Sequence, residues 1–313
     1  MTFSTPLTLS GPKRKPAQML QEQEYGGHAS VHDEAQASKL GLKGAPIEGP
    51  THFSLYPPLL EKIWGKAWFE NGCLSAHYQN MVIEGEETQA FVEWPEAGAT
   101  ITRGWCVKGD GTPVHEVSAS IGRGDDTLLE KRLKELKPPG KMVIMQDLKV
   151  GMKIEHDKPV RMDPDQNMGA LYPFSLNEKL AKITENSPWY SDPKSSPWGR
   201  AIIPVEMISV LAQYSARESG QESAFPTRGP ALGLFVDQEI RVIDGPLFVS
   251  EDYLVSREIV ALSESKRVEN CWVRTRLFDK TGKKQVAEML LNQGSFKQSY
   301  ANYDAEREKL ERA

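Results

Sequence analysis

Residues 24 to 35 read E-Y-G-G-H-A-S-V-H-D-E-A: two imidazoles, His28 and His32, four residues apart, with the carboxylate of Asp33 directly after the second. An imidazole exchanges a proton near neutral pH, so His32 is a candidate general acid or base, and a nearby carboxylate or second ring could fix its tautomer. His28 shares a face with His32 in a helical turn, whereas Asp33 reaches it only in loop geometry. Ordinary turn chemistry is the alternative: Asp33 caps a helix starting near Glu34, and His32 packs.

A second group of polar residues opens the segment G-A-P-I-E-G-P-T-H-F-S-L-Y-P-P-L-L-E-K-I-W (44 to 64), which turns apolar with helical spacing. A helix entered there aims free N–H groups at whatever lies before it, and such donors can hold developing negative charge. Glu48, Gly49, Pro50, Thr51 and His52 are therefore candidates for holding a substrate carbonyl, with Pro50 suited to a first helical position because it lacks a donor. The apolar segment A-I-I-P-V-E-M-I-S-V-L-A-Q-Y (201 to 214) enters in the same way at Pro204 and carries Glu206. That carboxylate is a candidate base or nucleophile, or a first-turn Glu satisfying its own backbone. Trp189, Tyr190 and Trp198 lie in the loop before it and either wall a pocket or pack. The histidines, at 28, 32, 52, 77, 115 and 156, all precede residue 157, so an imidazole chemistry belongs to the first half of the chain.

The elements that must position these groups come twice in one order. After the first apolar helix, strand-like runs cover 74 to 83, 88 to 94, 100 to 108 and 114 to 121, with a G-D-G-T turn before the last. A charged helix and linker follow over 126 to 141. After the second helix come runs at 232 to 243, 253 to 262, 268 to 279 and 285 to 293. Overlaid, Gly44 matches Gly199, Ile47 matches Ile202 and Ser54 matches Ser209. This is an internal duplication, and an apolar helix beside an apolar sheet is buried most fully when the sheet wraps around it.

The 313 residues are 39% hydrophobic, enough for two ordinary cores, and the net charge of −5 with no long basic face excludes nucleic acid as an expected partner. No apolar run reaches the ~18 residues of a membrane helix, and the N-terminus lacks the core of a signal peptide, so no membrane association is expected. Cys73, Cys106 and Cys271 are far apart without CxxC spacing, which favours a reducing cytoplasm over disulfides or zinc. No phosphate loop, metal-ligand pair or G-x-S-x-G elbow appears, so no cofactor and no metal are expected.

V-H-D-E-A-Q-A-S-K-L-G-L-K-G-A-P-I-E-G-P in the first half and S-P-W-Y-S-D-P…S-P-W-G-R-A-I-I-P in the second resemble the MaoC-like dehydratase and (R)-specific enoyl-CoA hydratase superfamily, over roughly residues 20 to 297. The resemblance implies an α+β tandem (double) hot-dog with two antiparallel sheets, each wrapped around a central helix, in domains 1–140 and 141–313, the halves pairing through their edge strands. It implies a cytoplasmic hydro-lyase acting on a small-molecule acyl thioester, with homo-oligomers of such pseudo-dimers as a further option. The hydratase loop of the family reads Asp-x-Asn-Pro-x-His. His32 takes the His position, while Gly27, Ala29 and Ser30 replace Asp, Asn and Pro; in the second half Glu185, Ser187, Pro188 and Tyr190 stand in these places, so neither half keeps the intact dyad. Glu48 stands where hydratases commonly carry a histidine before the glycine. The partner of His32 must then be His28, Asp33, Glu48 or Glu206. A hot-dog thioesterase using Glu206 and a non-catalytic acyl-binding protein are the other readings the same fold would host.

Overall fold

The computed structural model describes residues 7–24, 30–39, 41–124, 126–155, 158–214 and 225–312. The first half contributes β1 (Thr8–Ser10), β2 (Gly72–Tyr78), β3 (Thr88–Glu93), β4 (Ile101–Lys108) and β5 (Pro113–Ile121); the second contributes β6 (Lys153–Glu155), β7 (Gly233–Val242), β8 (Tyr253–Glu264), β9 (Val268–Asp279) and β10 (Gln285–Phe296). Alternating burial along β3 and β8 is the period-2 pattern that marked these runs as strands.

All ten strands join one sheet, in the order β1-β3-β4-β5-β2-β7-β10-β9-β8-β6. The two separate sheets expected from the sequence are thus one continuous sheet. The order also carries the duplication: read inward from either end, β1-β3-β4-β5-β2 corresponds to β6-β8-β9-β10-β7. The halves meet where β2 pairs antiparallel with β7, from Cys73 opposite Arg241 to His77 opposite Asp237. An edge strand left bare would expose a row of unpaired amides, and each half covers the other's. The outer edges end in the three-residue strands β1 and β6.

The first apolar segment is not one helix. A 3-10 turn over Gly49–Leu55 is followed by α2 (Pro57–Trp64) and α3 (Lys66–Asn71). Pro57 and Pro58 have no N–H to continue the first turn, and Gly65 breaks the second at φ 59°. In the second half the helix starts late, as α6 (Val205–Gln213), with Pro204 at its N-cap. The shorter helices are α1 (Glu34–Lys39), α4 (Leu128–Lys134) in the linker, α5 (Leu176–Leu180) and α7 (Tyr303–Arg312). One core cluster runs through both halves, joining Phe53, Tyr56 and Leu74 of the first to Met207, Leu211 and Met289 of the second. Cys73, Cys106 and Cys271 are free and buried. No helix among the described residues is long and apolar enough to cross a membrane.

Candidate active site

A cavity of about 170 Å³ lies between the His32 segment, the 3-10 turn, the end of β2 and the start of β7. His32, Glu48, Gly49, His52 and Tyr78 face it from the first half, with Leu171, Tyr172, Gln213 and Phe235 from the second. Leu171, Gln213, Gly233 and Gln293 also line a second cavity of about 90 Å³, whose wall includes Met145, Leu148, Val273, Met289 and Leu291.

Ser30 Oγ accepts from the His32 backbone N–H at 3.1 Å and donates to Gln23 Oε1 at 2.7 Å, which fixes the turn. The His32 ring then donates from Nδ1 to Pro46 O at 2.7 Å. A carbonyl can only accept, so Nδ1 keeps its hydrogen and the lone pair of the neutral ring sits on Nε2. Burial pushes the His32 pKa below that of a free imidazole, against the Pro46 carbonyl and the Glu48 charge that favour the cation. His32 is therefore neutral at pH 7, with Nε2 an acceptor.

Glu48 is the N-cap of the 3-10 turn and is buried. Its Oε1 accepts from the Lys179 ammonium of α5 and from Thr51 Oγ1, the latter at 2.9 Å. Its Oε2, also shielded, has no hydrogen-bond partner among the described residues, and neither has Nδ1 of the buried His52. His52 is neutral, its pKa lowered to about 4 by burial and then by the nearby Lys179 charge. Pro50 lacks an N–H and the Thr51 N–H is taken by Glu48 O at 3.2 Å, so Gly49 supplies the first donor of the turn at the cavity wall. Gly49 is also where Tyr78 fits: a Cβ there would stand 2.7 Å from Tyr78 Cζ. Tyr78 cannot easily yield, because its hydroxyl donates to Gln238 Oε1 at 3.0 Å, and Gln238 Nε2 donates to Ser209 Oγ of α6 at 2.6 Å. Gly49→Ala is expected to cost about 1–3 kcal/mol, read as a lower midpoint in thermal or urea unfolding.

Neither a family model nor a curated relative matches the sequence. Solved structures do. The MaoC domain protein dehydratase from Chloroflexus aurantiacus matches over 94% of this chain and 95% of its own, with a TM-score of 0.56 and 16% identity. Rv0216 of Mycobacterium tuberculosis, described as having a double hot-dog fold, matches over 94% of this chain and 97% of its own, with a TM-score of 0.56 and 10% identity. The fold is the double hot-dog. That is the fold that its loop motifs suggested.

Within this double hot-dog the residues singled out from the sequence separate. His32, Glu48, Gly49 and His52 line the cavity together. Asp33 does not join them: it is exposed, and its Oδ1 accepts from the Gln36 N–H at 2.9 Å, so it caps α1. His28 and Gly27 lie outside the described residues. Pro50 and Thr51 are buried in the turn behind the cavity wall, Pro50 one place later than a first helical position. Trp189 packs edge-on against Phe69 and Trp198 at 5.2 and 5.5 Å, and Tyr190 is buried in the same core; neither lines the cavity. These aromatics tie the second-half loop to α3 and leave the pocket wall to Tyr78, Tyr172 and Phe235. Tyr78 and Lys179 are the functional candidates the sequence reading missed. For Lys179 the signal was present: S-L-N-E-K-L forms a capping box at Ser175 and Glu178, and a helix drawn from it sets Lys179 beside apolar Leu176 and Leu180.

Glu206 sits in the first turn of α6, buried, and lines neither cavity. Lys179 Nζ is 3.8 Å from its Oε1, too far for a hydrogen bond, and neither Glu206 oxygen has a hydrogen-bond partner among the described residues. Burial, with the Glu48 charge adding to it against Lys179, raises its pKa to about 8. An unfolded Glu ionises near pH 4.3 whereas this one keeps its proton to about 8, so the folded state binds more protons over that window and stability falls as pH rises. The buried histidines slope the other way, but only below about pH 6.5, where an unfolded His is protonated. From about pH 6.5 to 8 the wild type should lose stability by up to about 1.4 kcal/mol per pH unit, and Glu206→Gln should flatten that slope in urea titrations. An equal slope in both proteins would refute the assignment.

Proposed function

We propose that the chain is a MaoC-like hydro-lyase that interconverts enoyl and 3-hydroxyacyl thioesters, with His32 and Glu48 as the pair at the reacting atoms. The observation carrying this reading is that one cavity is lined both by His32, a neutral imidazole with Nε2 as its acceptor, and by Glu48, whose buried Oε2 has no hydrogen-bond partner among the described residues. Glu48 then replaces the aspartate missing at residue 27.

In hydration, His32 Nε2 takes one proton from a water whose second hydrogen is held by Glu48 Oε2. The water oxygen bonds to the β-carbon, the Cα=Cβ electron pair moves toward the thioester carbonyl, and the enolate oxygen is held by the Gly49 N–H. The Nε2 proton is returned to the α-carbon, leaving the ring neutral and the substrate one water heavier. The Glu48 charge favours the transient imidazolium, in the same sense in which it raises the His32 pKa in the free protein. The second cavity, largely apolar apart from residues such as Arg257 and Thr275, suits the acyl chain. The thioesterase reading loses support because Glu206 lines neither cavity and holds its proton at neutral pH.

A panel of enoyl-CoA esters of increasing chain length, followed by loss of enoyl absorbance and, in parallel, by calorimetric binding, tests the reading. Turnover of at least one member, with water added across the double bond, is expected. Tight binding without turnover across the panel would favour an acyl-binding protein, and release of free thiol would favour a thioesterase.

A further inference from the structure

Burying an ammonium is expensive unless its partners are in place, and the Lys179 side chain is only 3% exposed. It crosses from α5 of the second half to the 3-10 turn of the first. There Nζ donates to Glu48 Oε1 and to Thr51 Oγ1, the second at 2.8 Å, while the Thr51 hydroxyl itself donates to Glu48 Oε1. Nζ also lies over the Phe174 ring, 5.3 Å from its centre. Two donors on one carboxylate oxygen fix the plane of the group, and the oxygen they leave over belongs to a residue that lines the cavity.

We propose that Lys179 is a positioning residue of this site: it holds the Glu48 carboxylate in one plane, with Oε1 engaged and Oε2 left for the reacting water beside His32. The inference rests on the reading of Glu48 as the partner of His32, but its central claim can be measured without a substrate. The groups around Glu48 are Lys179 from α5, Thr51 and His52 from its own turn, Glu206 from α6, Tyr78 from β2 and His32 from the segment before α1, with Lys108 of β4 acting on His52. Among them Lys179 is the cation in contact with the Glu48 carboxylate. Without it, two carboxyl groups share a buried space with no ammonium between them, and Glu48 loses the contact that fixes its plane and is expected to turn away from His32.

The test is the His32 ring titration, followed by NMR in the full ligand-free chain as wild type, Glu48→Gln, Lys179→Met and Lys179→Arg. The Glu48 charge favours the imidazolium, so neutralising it lowers the His32 pKa. Lys179→Met should lower it as Glu48→Gln does, and Lys179→Arg should restore it toward the wild-type value. If Glu48 keeps its place without Lys179, losing a nearby positive charge leaves the His32 pKa unchanged or raised, and that result overturns the proposal. Should Lys179→Met fail to fold, Lys179→Met with Glu206→Gln, which leaves one carboxyl in the space, takes the same measurement with the same expectation. On an enoyl thioester that the wild type turns over, Lys179→Met should also move the acid limb of the kcat/KM profile to lower pH, following the His32 pKa; a lower rate with an unmoved limb would mean packing alone. A wild type without turnover removes the hydro-lyase reading while the titration still decides about Lys179, and an unmoved titration removes the Lys179 inference while turnover stands.

Discussion

His32→Ala should lower turnover of an enoyl-CoA substrate by about 100-fold or more, the usual scale for removing a general acid–base group. Glu48→Gln should lose on a similar scale, because an amide can still contact the water but no longer favours the imidazolium. Glu206→Gln should cost far less, since Glu206 lines neither cavity. The double variant His32→Ala/Glu48→Gln should lose less than the product of the single effects, as expected of groups acting on one water. Steady-state rates of the four proteins, each checked for an unchanged unfolding midpoint, decide the matter. Near-wild-type turnover in His32→Ala would remove His32 from the mechanism, and a large loss confined to Glu206→Gln would reinstate the thioesterase.

The largest stability effect is expected at Glu269→Ala, about 3–5 kcal/mol. Glu269 of β9 is fully buried. Its carboxylate accepts from the backbone N–H groups of Val143, Ile144 and Met145 at 2.8, 3.0 and 3.0 Å and from the Tyr303 hydroxyl of α7 at 2.7 Å. One side chain thus fastens both the segment that leads into the second half and the last helix to the sheet. Truncation leaves four donors in a site with no replacement acceptor, each unmet donor costing about 1–3 kcal/mol before relaxation. Glu269→Gln keeps one acceptor oxygen and should lose less. Urea unfolding with an unchanged m-value measures both. A loss below about 1 kcal/mol for the alanine variant would mean that water or a local shift satisfies the donors.

The amino-acid sequence by itself determined the local elements and their order. Alternation marked β2 to β5 and β7 to β10, because a side chain's face on a strand follows from its position alone. It marked the duplication for the same reason, and the order of the ten-stranded sheet repeats it strand for strand. It put His32, Glu48, Gly49 and His52 forward through loop and turn chemistry that spans few residues. It overran at the first helix, where the apolar period outlasted the hydrogen bonding and Pro57-Pro58 divided it.

Tertiary structure alone decided what meets across the chain. That the halves form one sheet depends on β2 finding β7, strands some 160 residues apart in pairs such as His77 and Asp237. Which carboxylate would attend His32 was open among Asp33, Glu48 and Glu206, since all three are acidic residues near turns. Packing settled their surroundings: Asp33 faces solvent and caps α1, Glu206 is enclosed without lining a cavity, and Glu48 lies on the same cavity wall as His32. Lys179 could be placed on a helix from its capping box, but not beside Glu48, 131 residues away, because an ion pair between halves leaves no local pattern. Short-range rules write themselves into spacing; the long-range contacts that set charge and burial at this site arise only when the two halves close on each other.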